Sequence, residues 1–547
     1  MPIRRTRAGF RPLSATALTI GFCLASIPAG AGADTAKPSI VIILSDDEDV
    51  AIHQFMPKTK ALIADQGATF DNAFVSYSFC CPARATLLRG QYAHNTEVQG
   101  NELPYGGYEK FHALGREQST IGTWLQGAGY RTAMVGKYIN RYRPEHDGVP
   151  PGWDDWYVAG NAHPSYNYTI NENGKLVAYG NEPKDYLNDV LTEKAVEVIR
   201  RAAAADAPLF LYVAPYTPHS PAVAAPRHAD MFTDLELPRP PAFNEADVSR
   251  KPTLIASQPP LDEKAIDWLE KEYRKRVRSL QAIDDMVERV VETLRDEGRL
   301  DDTYVVYTSD NGFHMGEHRS PAGKNMPYEE DIRVPMVMRG PGVRAGAHVE
   351  PMVVNIDLAP TFADIAGVEP PAFVDGRSFL PLLEDPETSW RQTFLLERDQ
   401  LEAQVVERSR LPARELEAAA RFRGIRTARW TYAEHGTGER ELYHLEADPF
   451  QLDNLAPIAE PASIAALSKR VAALAQCQAA ECRHLEDLPL PDPLPKLLIA
   501  GPATGRGERD LVPAKATPAA AGALSLEQDG GGGPGQDRPA GEIGPDT

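Results

Sequence analysis

Four short runs of β-branched and aliphatic residues constrain the fold of this chain more than any other feature. They occupy residues 39–44, 132–135, 209–214 and 303–308. Uninterrupted apolar runs of this length are typical of strands buried on both faces, as in a parallel sheet. Amphipathic helical patterns, such as 191–204 and 275–294, separate them. This alternation predicts an α/β domain with a central, mostly parallel sheet.

The first 33 residues have the pattern of a secretory signal peptide. Four arginines lie within the first eleven residues, an apolar stretch follows at 13–27, and small residues precede a cleavage site after Ala33. The apolar stretch is too short for a typical membrane span, although an uncleaved membrane anchor is the alternative. We predict a secreted or periplasmic protein without stable membrane insertion.

A smaller domain is expected after residue 385. Short apolar runs at 394–396, 424–427, 430–433 and 441–444 predict strands, and a helical pattern follows at 461–475. From residue 503 the chain is rich in Gly, Pro and Ala, as disordered tails are. The predicted division is a signal peptide at 1–33, a catalytic domain at 34–385, a smaller α+β domain at 386–502 and a disordered tail at 503–547.

The acidic composition excludes some partners. The net charge is −20, and loss of the signal segment, with its four arginines and no acidic residue, changes it to −24. Such a surface repels nucleic acid and offers no general platform for polyanions. We expect no nucleic-acid partner, and an anionic substrate would need a local basic pocket.

Polar residues follow each of the four predicted strands. In chain order they are Asp46 and Asp47, then Lys137, then His219, then Asp310 and Asn311. Each signal alone is weak, because a pair of aspartates after a strand is more often a turn or a helix cap. Ligands of open α/β sheets, however, bind outside the carboxyl ends of the strands. Together these residues predict one site with oxygen ligands, a lysine and a histidine.

The sequence CCPAR, which begins at Cys80, is the strongest local signal. Pro82 suits the first turn of a helix and Gly90 suits its end. Cys80 would then lie at a helix N-terminus, where backbone N–H groups and the dipole favour an anion. One alternative is that the motif forms a capped surface helix. Another, for the two cysteines, is that Cys80 and Cys81 are simply buried as small apolar side chains.

In this motif and its surroundings the chain resembles the sulfatase family. CCPAR fits the pattern C-x-P-[SA]-R, and several further segments resemble the branch of N-acetylglucosamine-6-sulfatases and extracellular endosulfatases, namely GKYINRY, GWDDWY, YNYTINENGK, TPHSP and YTSDNGFHMGEH. The resemblance covers residues 38–385 and continues more weakly to Cys477 and Cys482, which we expect to form a disulfide in an exported protein. It implies an alkaline-phosphatase-like α/β fold with a smaller C-terminal domain.

The resemblance implies a nucleophile and a metal. A formylglycine-generating maturation enzyme would oxidise Cys80 to formylglycine (3-oxoalanine), and this residue would attack sulfur. Residue 80 would also contact a metal ion, whose other ligands would be Asp46, Asp47, Asp310 and Asn311. Oxygen donors of this kind suit Ca²⁺.

The remaining roles concern the sulfate group. Arg84, Lys137 and Lys324 would hold formylglycine and the sulfate oxygens, and His219 would contact the sulfate and help protonate the leaving oxygen. Lys324 as a surface lysine and His219 as a buried hydrogen-bonded histidine are the alternatives.

Three neighbouring positions have open roles. His314 and His318 either line the pocket or are structural. Many sulfatases have a histidine two residues after the lysine of the Gly-Lys motif, where this chain has Ile139. The sequence therefore does not identify the group that would accept the proton of the second hydroxyl of hydrated formylglycine.

We predict a sulfuric ester hydrolase that acts on 6-sulfated N-acetylglucosamine, related short glycans or aryl sulfates. One alternative is a formylglycine-dependent phosphonate monoester or phosphodiester hydrolase. Another is a non-catalytic carbohydrate-binding protein, which the presence of Cys80, Arg84, Asp310 and His219 disfavours. A two-zinc phosphatase is disfavoured because the metal positions offer no histidine cluster.

Overall fold

The structure is a computed structural model that describes residues 37–160, 162–385, 387–399, 411–419 and 421–490. The predicted signal peptide and the predicted tail lie outside these ranges. Within them, no helix combines the length and the apolar character that a membrane span requires.

A ten-stranded sheet forms the centre of the main domain. Its strands are β1 (Ser39–Ser45), β2 (Ala68–Phe70), β4 (Arg131–Gly136), β5 (Asp155–Ala159), β6 (Tyr168–Glu172), β7 (Lys175–Tyr179), β8 (Leu209–Ala214), β9 (Thr303–Ser309), β10 (Met336–Arg339) and β11 (Ala347–Val349). Their order is β11-β2-β10-β9-β1-β8-β4-β5-β6-β7. A separate two-stranded sheet pairs β3 (Ala73–Phe74) with β12 (Val353–Val354).

The middle of the large sheet is parallel. The five neighbours β9, β1, β8, β4 and β5 all run in one direction, and antiparallel pairing begins at β10 on one side and β6 on the other. The four strands predicted from the sequence are β9, β1, β8 and β4, which are adjacent, so the predicted parallel centre is confirmed. The strands that the sequence did not reveal lie mainly toward the edges.

Helices cover both faces of the sheet. Those of seven residues or more in the described ranges are Cys80–Arg89, Gly107–Ala113, Ile121–Gly127, Leu187–Ala204, Glu263–Asp296, Leu358–Ile365, Ala413–Ala419, Pro461–Leu474 and Ala480–Asp487. Shorter helices are Val50–His53, Pro57–Thr59, Ala93–Thr96, Thr253–Ala256, Glu329–Ile332 and Leu380–Glu384. The predicted helices 191–204 and 275–294 lie inside Leu187–Ala204 and Glu263–Asp296.

Strand β1 shows why both faces are apolar. Ile40 and Ile42 point into one buried layer, which contains Phe362 of the helix Leu358–Ile365. Val41 and Ile43 point into the opposite layer, which contains Val287 of the helix Glu263–Asp296. Because side chains alternate along a strand, a continuous apolar run fills both layers.

The C-terminal part forms a second, antiparallel sheet. Its strands, in spatial order, are β13 (Thr393–Arg398), β14 (Phe422–Thr427), β15 (Trp430–His435) and β16 (Arg440–His444). The helix Pro461–Leu474 packs on it through Leu467 and Val471. Cys477 and Cys482 form the predicted disulfide. The smaller α+β domain is thus present, while its exact limits stay a prediction.

Candidate functional site

The polar residues that follow the central strands meet at the carboxyl end of the sheet. The backbone N–H of Asp46 donates to the Thr217 carbonyl at 3.2 Å, which ties the end of β1 to the segment after β8. The N–H of Asp310 donates to the Ser45 carbonyl at 3.1 Å, which ties the end of β9 to β1. Parallel neighbours therefore deliver these side chains to one place, as the sequence predicts.

The helix Cys80–Arg89 brings the CCPAR motif to the same place. Phe79 before it is extended, and Gly90 closes it in the left-handed conformation with φ of 64°. A Cβ atom at Gly90 would also lie 3.0 Å from Val374 Cγ1, so glycine suits this position on both grounds. All ten residues of the helix are buried, which excludes the capped surface helix.

Cys80 lies at the centre of the cluster. Its Sγ atom is 3.5 Å from Asp46 Oδ1 and 3.9 Å from Asp47 Oδ1. Lys324 Nζ lies 2.7 Å from the same sulfur and also contacts Asp47. A reactive group on residue 80 would thus be in contact with both carboxylates and a lysine.

Three carboxylates and an amide form a compact set of oxygen donors. Asp46, Asp47 and Asp310 each offer an oxygen within 4.8 Å of the others. Asn311 donates through Nδ2 to Asp47 Oδ1 at 2.8 Å, while its Oδ1 atom is buried and has no hydrogen-bond partner in the described part of the chain. A buried acceptor without a donor is costly unless a cation or water satisfies it.

Two further cations complete the cluster. Lys137 Nζ is 2.5 Å from Asp46 Oδ2. Arg84 donates from Nε to Asp310 Oδ2 and from Nη1 to the Lys137 carbonyl, both at 2.8 Å. The Nη2 atom of Arg84 is buried and lies 3.9 Å from Asp46 Oδ1, but it makes no hydrogen bond within the described residues. Lys324 is buried, which excludes the surface lysine.

Burial and charge set the protonation states. Burial raises the pKa of the Cys80 thiol well above its ordinary value, although Lys137 and Lys324 oppose this. A thiol held in this way is a poor nucleophile, because the thiolate is the reactive form. Burial also raises the pKa of Asp310 to about 6 despite the nearby Arg84 guanidinium. The negative charge of Asp310 is therefore incompletely compensated in the cluster, and a bound cation would stabilise it.

His219 borders the cluster from a large open cavity. Its Nε2 atom is 3.7 Å from Asp47 Oδ2, and its Nδ1 atom contacts the Ser220 carbonyl at 2.7 Å. Burial lowers its pKa, although the carboxylates of Asp47 and Asp46 oppose this effect. The cavity has a volume of about 1320 Å³, and Asp47, Lys137 and Lys324 form part of its wall. Four of the nine residues predicted for the site line this cavity, namely Asp47, Lys137, His219 and Lys324. The other five lie in the buried cluster that these four contact, namely Asp46, Cys80, Arg84, Asp310 and Asn311.

His163 is a site residue that the sequence analysis missed. Its ring centroid is 4.3 Å from that of His219, and it also lines the cavity. It follows β5, which is the fifth strand of the parallel centre. Recognition of residues 155–159 as a strand would have revealed it.

His314 and His318, whose roles the sequence left undecided, have structural contacts. His314 Nδ1 contacts Asp331 at 2.8 Å, and His318 Nδ1 contacts Glu245 at 2.6 Å. Both rings are buried and neither lines the cavity. Ile139 is buried in the apolar layer beside the cavity.

Comparisons with known proteins agree with this arrangement. A family model described as Sulfatase matches residues 38–368, and one described as N-sulphoglucosamine sulphohydrolase, C-terminal, matches residues 316–477. The chain is 35% identical to N-acetylglucosamine-6-sulfatase of Homo sapiens over 495 residues, which are 85% of this chain and 89% of the relative.

Two solved structures have a similar fold. One is a protein in complex with its substrate D-glucosamine-2-N,6-O-disulfate, with a TM-score of 0.64, 25% identity and coverage of 80% of this chain and 97% of that one. The other is the phosphonate monoester hydrolase from Silicibacter pomeroyi, with a TM-score of 0.60, 23% identity and coverage of 79% and 93%. Since the family match spans most of the main domain and the human relative most of both chains, the protein belongs to the sulfatase family of sulfate ester hydrolases.

Proposed function

We propose that the protein hydrolyses sulfate esters of short glycans, with formylglycine at residue 80 as nucleophile and Ca²⁺ as metal. One observation carries the proposal. Cys80 Sγ lies among Asp46, Asp47 and Lys324 at the carboxyl end of the sheet, and two of these neighbours, Asp47 and Lys324, also line the open cavity.

The donor set fits a calcium ion. It consists of three carboxylates and the free Asn311 Oδ1, which are hard oxygen ligands. Asp46, Cys80 and His219 form a second possible set, in which a thiolate and an imidazole would suit zinc. Conversion of Cys80 to formylglycine would remove that thiolate, so we assign the metal to the oxygen donors. When bound, the ion would polarise sulfate oxygens and acidify a hydroxyl on residue 80.

Formylglycine fits the position of Cys80. As its hydrate it supplies two hydroxyls on one carbon, one to attack sulfur and one whose proton loss releases sulfate. Lys324 is within hydrogen-bond distance of the atom attached to Cβ of residue 80 and would orient its replacement. The raised pKa of the unmodified thiol also favours a modified residue over a cysteine nucleophile.

The cations would hold the transferred sulfate. Lys137, Lys324 and Arg84, whose Nη2 atom makes no hydrogen bond among the described residues, surround the oxygen donors, so that the negative charge of a bound sulfate group is compensated on several sides. His219 is half-buried, and its Nε2 atom faces the carboxylate cluster. In its protonated form, with the Nδ1 proton directed to the Ser220 carbonyl, the ring would donate a hydrogen bond from Nε2 to the sulfate and then give that proton to the leaving oxygen.

The substrate class rests on similarity. The human relative is an N-acetylglucosamine-6-sulfatase, and the solved structure with glucosamine disulfate shows a sulfated glucosamine bound by a related fold. We propose 6-sulfated N-acetylglucosamine or a related short glycan, with aryl sulfates as simpler substrates. The export prediction belongs with this proposal, and the Cys477–Cys482 disulfide supports it.

The first experiment is the mass of the peptide that carries residue 80, from protein made in its native host. Aldehyde in place of thiol is expected. An unmodified thiol in an active preparation would contradict the formylglycine proposal.

A second experiment separates the two hydrolase classes. Initial rates on an aryl sulfate and on an aryl phosphate diester are compared for the same preparation. We expect the sulfate to be preferred, and a clear preference for the diester would support the phosphonate or phosphodiester hydrolase instead.

A further inference from the structure

A second imidazole lies beside His219 at the inner end of the cavity. His163 Nε2 is 3.9 Å from Asp46 Oδ2. The ring of Tyr216 packs edge-on against His163 with centroids 5.3 Å apart. The Tyr216 hydroxyl in turn donates to the carbonyls of Ala159 and Gly160, so the end of β5 is fixed in place.

We propose that His163 is a further substrate-contacting residue, whose imidazole binds a sulfate oxygen beside His219. The inference rests on the proposed sulfatase site and adds one residue to it. Two imidazoles with centroids 4.3 Å apart can contact different oxygens of one tetrahedral anion. Neutral imidazole carries one N–H donor, which is the group that a sulfate oxygen accepts.

The surroundings of His163 favour binding over a purely structural role. Its side chain is 20% exposed and forms part of the cavity wall. Ile139 lines the same cavity and has no polar atom to offer. For an anion drawn to Lys137 and Arg84, His163 would be a further hydrogen-bond donor beside Lys324 and His219.

The test measures sulfate binding as well as turnover. In His163→Ala we expect the inhibition constant of inorganic sulfate to rise, and kcat/KM on an aryl sulfate to fall, by about ten- to hundredfold. The rise in unfolding temperature that saturating sulfate gives the wild type should shrink in parallel. His163→Asn, which keeps an N–H donor, should recover part of both effects. His348→Ala, at an exposed histidine away from the cavity, is the matched control.

Unchanged sulfate affinity and kcat/KM in a folded His163→Ala or His163→Phe variant, neither of which keeps an N–H donor, would overturn this role. A wild-type protein with correctly modified residue 80 that cleaves no sulfate ester would instead overturn the proposed function. The two failures are therefore distinguishable.

A different observation concerns the outer part of the cavity. Trp268, on the helix Glu263–Asp296, is 43% exposed. Among the exposed large apolar side chains of the described residues, it alone lines this cavity. Its neighbour Leu269 is buried in the core beneath and anchors the helix at this point.

We infer that Trp268 is the platform for the sugar ring that carries the sulfate. Tryptophan offers a large flat apolar face, which matches the C–H face of a pyranose. The cavity wall also contains the amide side chains of Asn101, Asn140 and Asn167, which can bind sugar hydroxyls. An apolar face combined with a few polar groups is what a small-molecule site requires.

The test compares a sugar with a bare anion. In Trp268→Ala we expect KM for N-acetylglucosamine-6-sulfate to rise by about three- to tenfold. The inhibition constant of inorganic sulfate should stay unchanged, because sulfate occupies only the inner end. The KM of Trp268→Phe should lie between those of the wild type and Trp268→Ala. Phe450→Ala, at an exposed aromatic residue outside the cavity, is the control.

An unchanged KM for the sugar in Trp268→Ala would overturn the platform. Parallel weakening of inorganic sulfate would also overturn it, since the change would then act on the whole site. Absence of any sugar hydrolysis by a wild type that cleaves aryl sulfates would contradict the glycan substrate itself.

Discussion

The charged side chains of this site are buried, and each depends on its neighbours to compensate its charge. Asp46 shows this balance. Burial alone would raise the pKa of its carboxyl, yet Lys137, His219 and Arg84 together hold that pKa well below its ordinary range. Removal of one partner leaves a buried charge uncompensated, which is more damaging than loss of the contact itself.

Lys137→Ala tests this balance. We expect kcat/KM on an aryl sulfate to fall by roughly 10²–10³, as is typical for loss of one preorganised charge contact at a reacting anion. The buried Asp46 would also lose its closest cation, so the unfolding temperature should fall. Lys175→Ala, at an exposed lysine of β7, is the control. A decrease of less than about threefold in a folded variant would contradict the role of Lys137.

Among the secondary-structure elements, strands with continuous apolar runs and helices with amphipathic spacing could be predicted from the sequence, and the other elements could not. The runs that became β1, β4, β8 and β9 are apolar on both faces, and Pro82 and Gly90 mark the limits of the CCPAR helix. By contrast, β2 has three residues and β7 is largely exposed, so neither carries a clear pattern. His163 was missed because no strand was predicted before it: β5 is fully buried, but its sequence DWYVA contains an aspartate and two aromatic residues rather than a continuous aliphatic run.

A short helix connects the two sheets through a histidine whose charge depends on pH. His94, in the helix Ala93–Thr96, contacts Glu397 of β13 at 3.0 Å and the Cys477 carbonyl at 3.0 Å. Burial alone would lower the pKa of His94, but these two partners raise it to about 9. Because the raised pKa belongs to the folded state, the stabilisation is complete below the ordinary value of 6.5 and is lost as pH rises through 9.

His94→Gln should remove this pH dependence. We expect the wild-type unfolding temperature to decrease between pH 7 and pH 9.5, and the variant to start lower and change less over the same range. His348→Gln, at an exposed histidine, should behave as the wild type. Parallel curves for wild type and His94→Gln would contradict the assignment.

For the whole molecule, the proposed metal links activity to stability. A cation that binds the folded site, with its buried cluster of Asp46, Asp47 and Asp310, stabilises the protein by mass action. Treatment with EGTA should therefore lower both the hydrolysis rate and the unfolding temperature, and added Ca²⁺ should restore both. Recovery with Zn²⁺ but not with Ca²⁺ would contradict the choice of metal.

The charge of the whole chain bears on the size of its substrate. A net charge of −20 repels a long polyanion, while Lys137, Lys324 and Arg84 supply positive charge locally at the carboxylate cluster. We expect turnover of 6-sulfated oligosaccharides to depend little on their length. A strong gain in kcat/KM with each added sulfated unit would indicate a second basic surface.

The burial of Cys80 has a consequence for the order of events during biosynthesis. Its side chain is 1% exposed and contacts carboxylates and a lysine. All residues of the surrounding helix are buried as well, so no oxidising enzyme could bind the CCPAR segment once the helix is packed. Conversion to formylglycine would therefore have to precede folding. A chain that folds before oxidation would keep the thiol at residue 80 and stay inactive. The yield of active enzyme would therefore depend on the rate of Cys80 oxidation relative to the rate of folding.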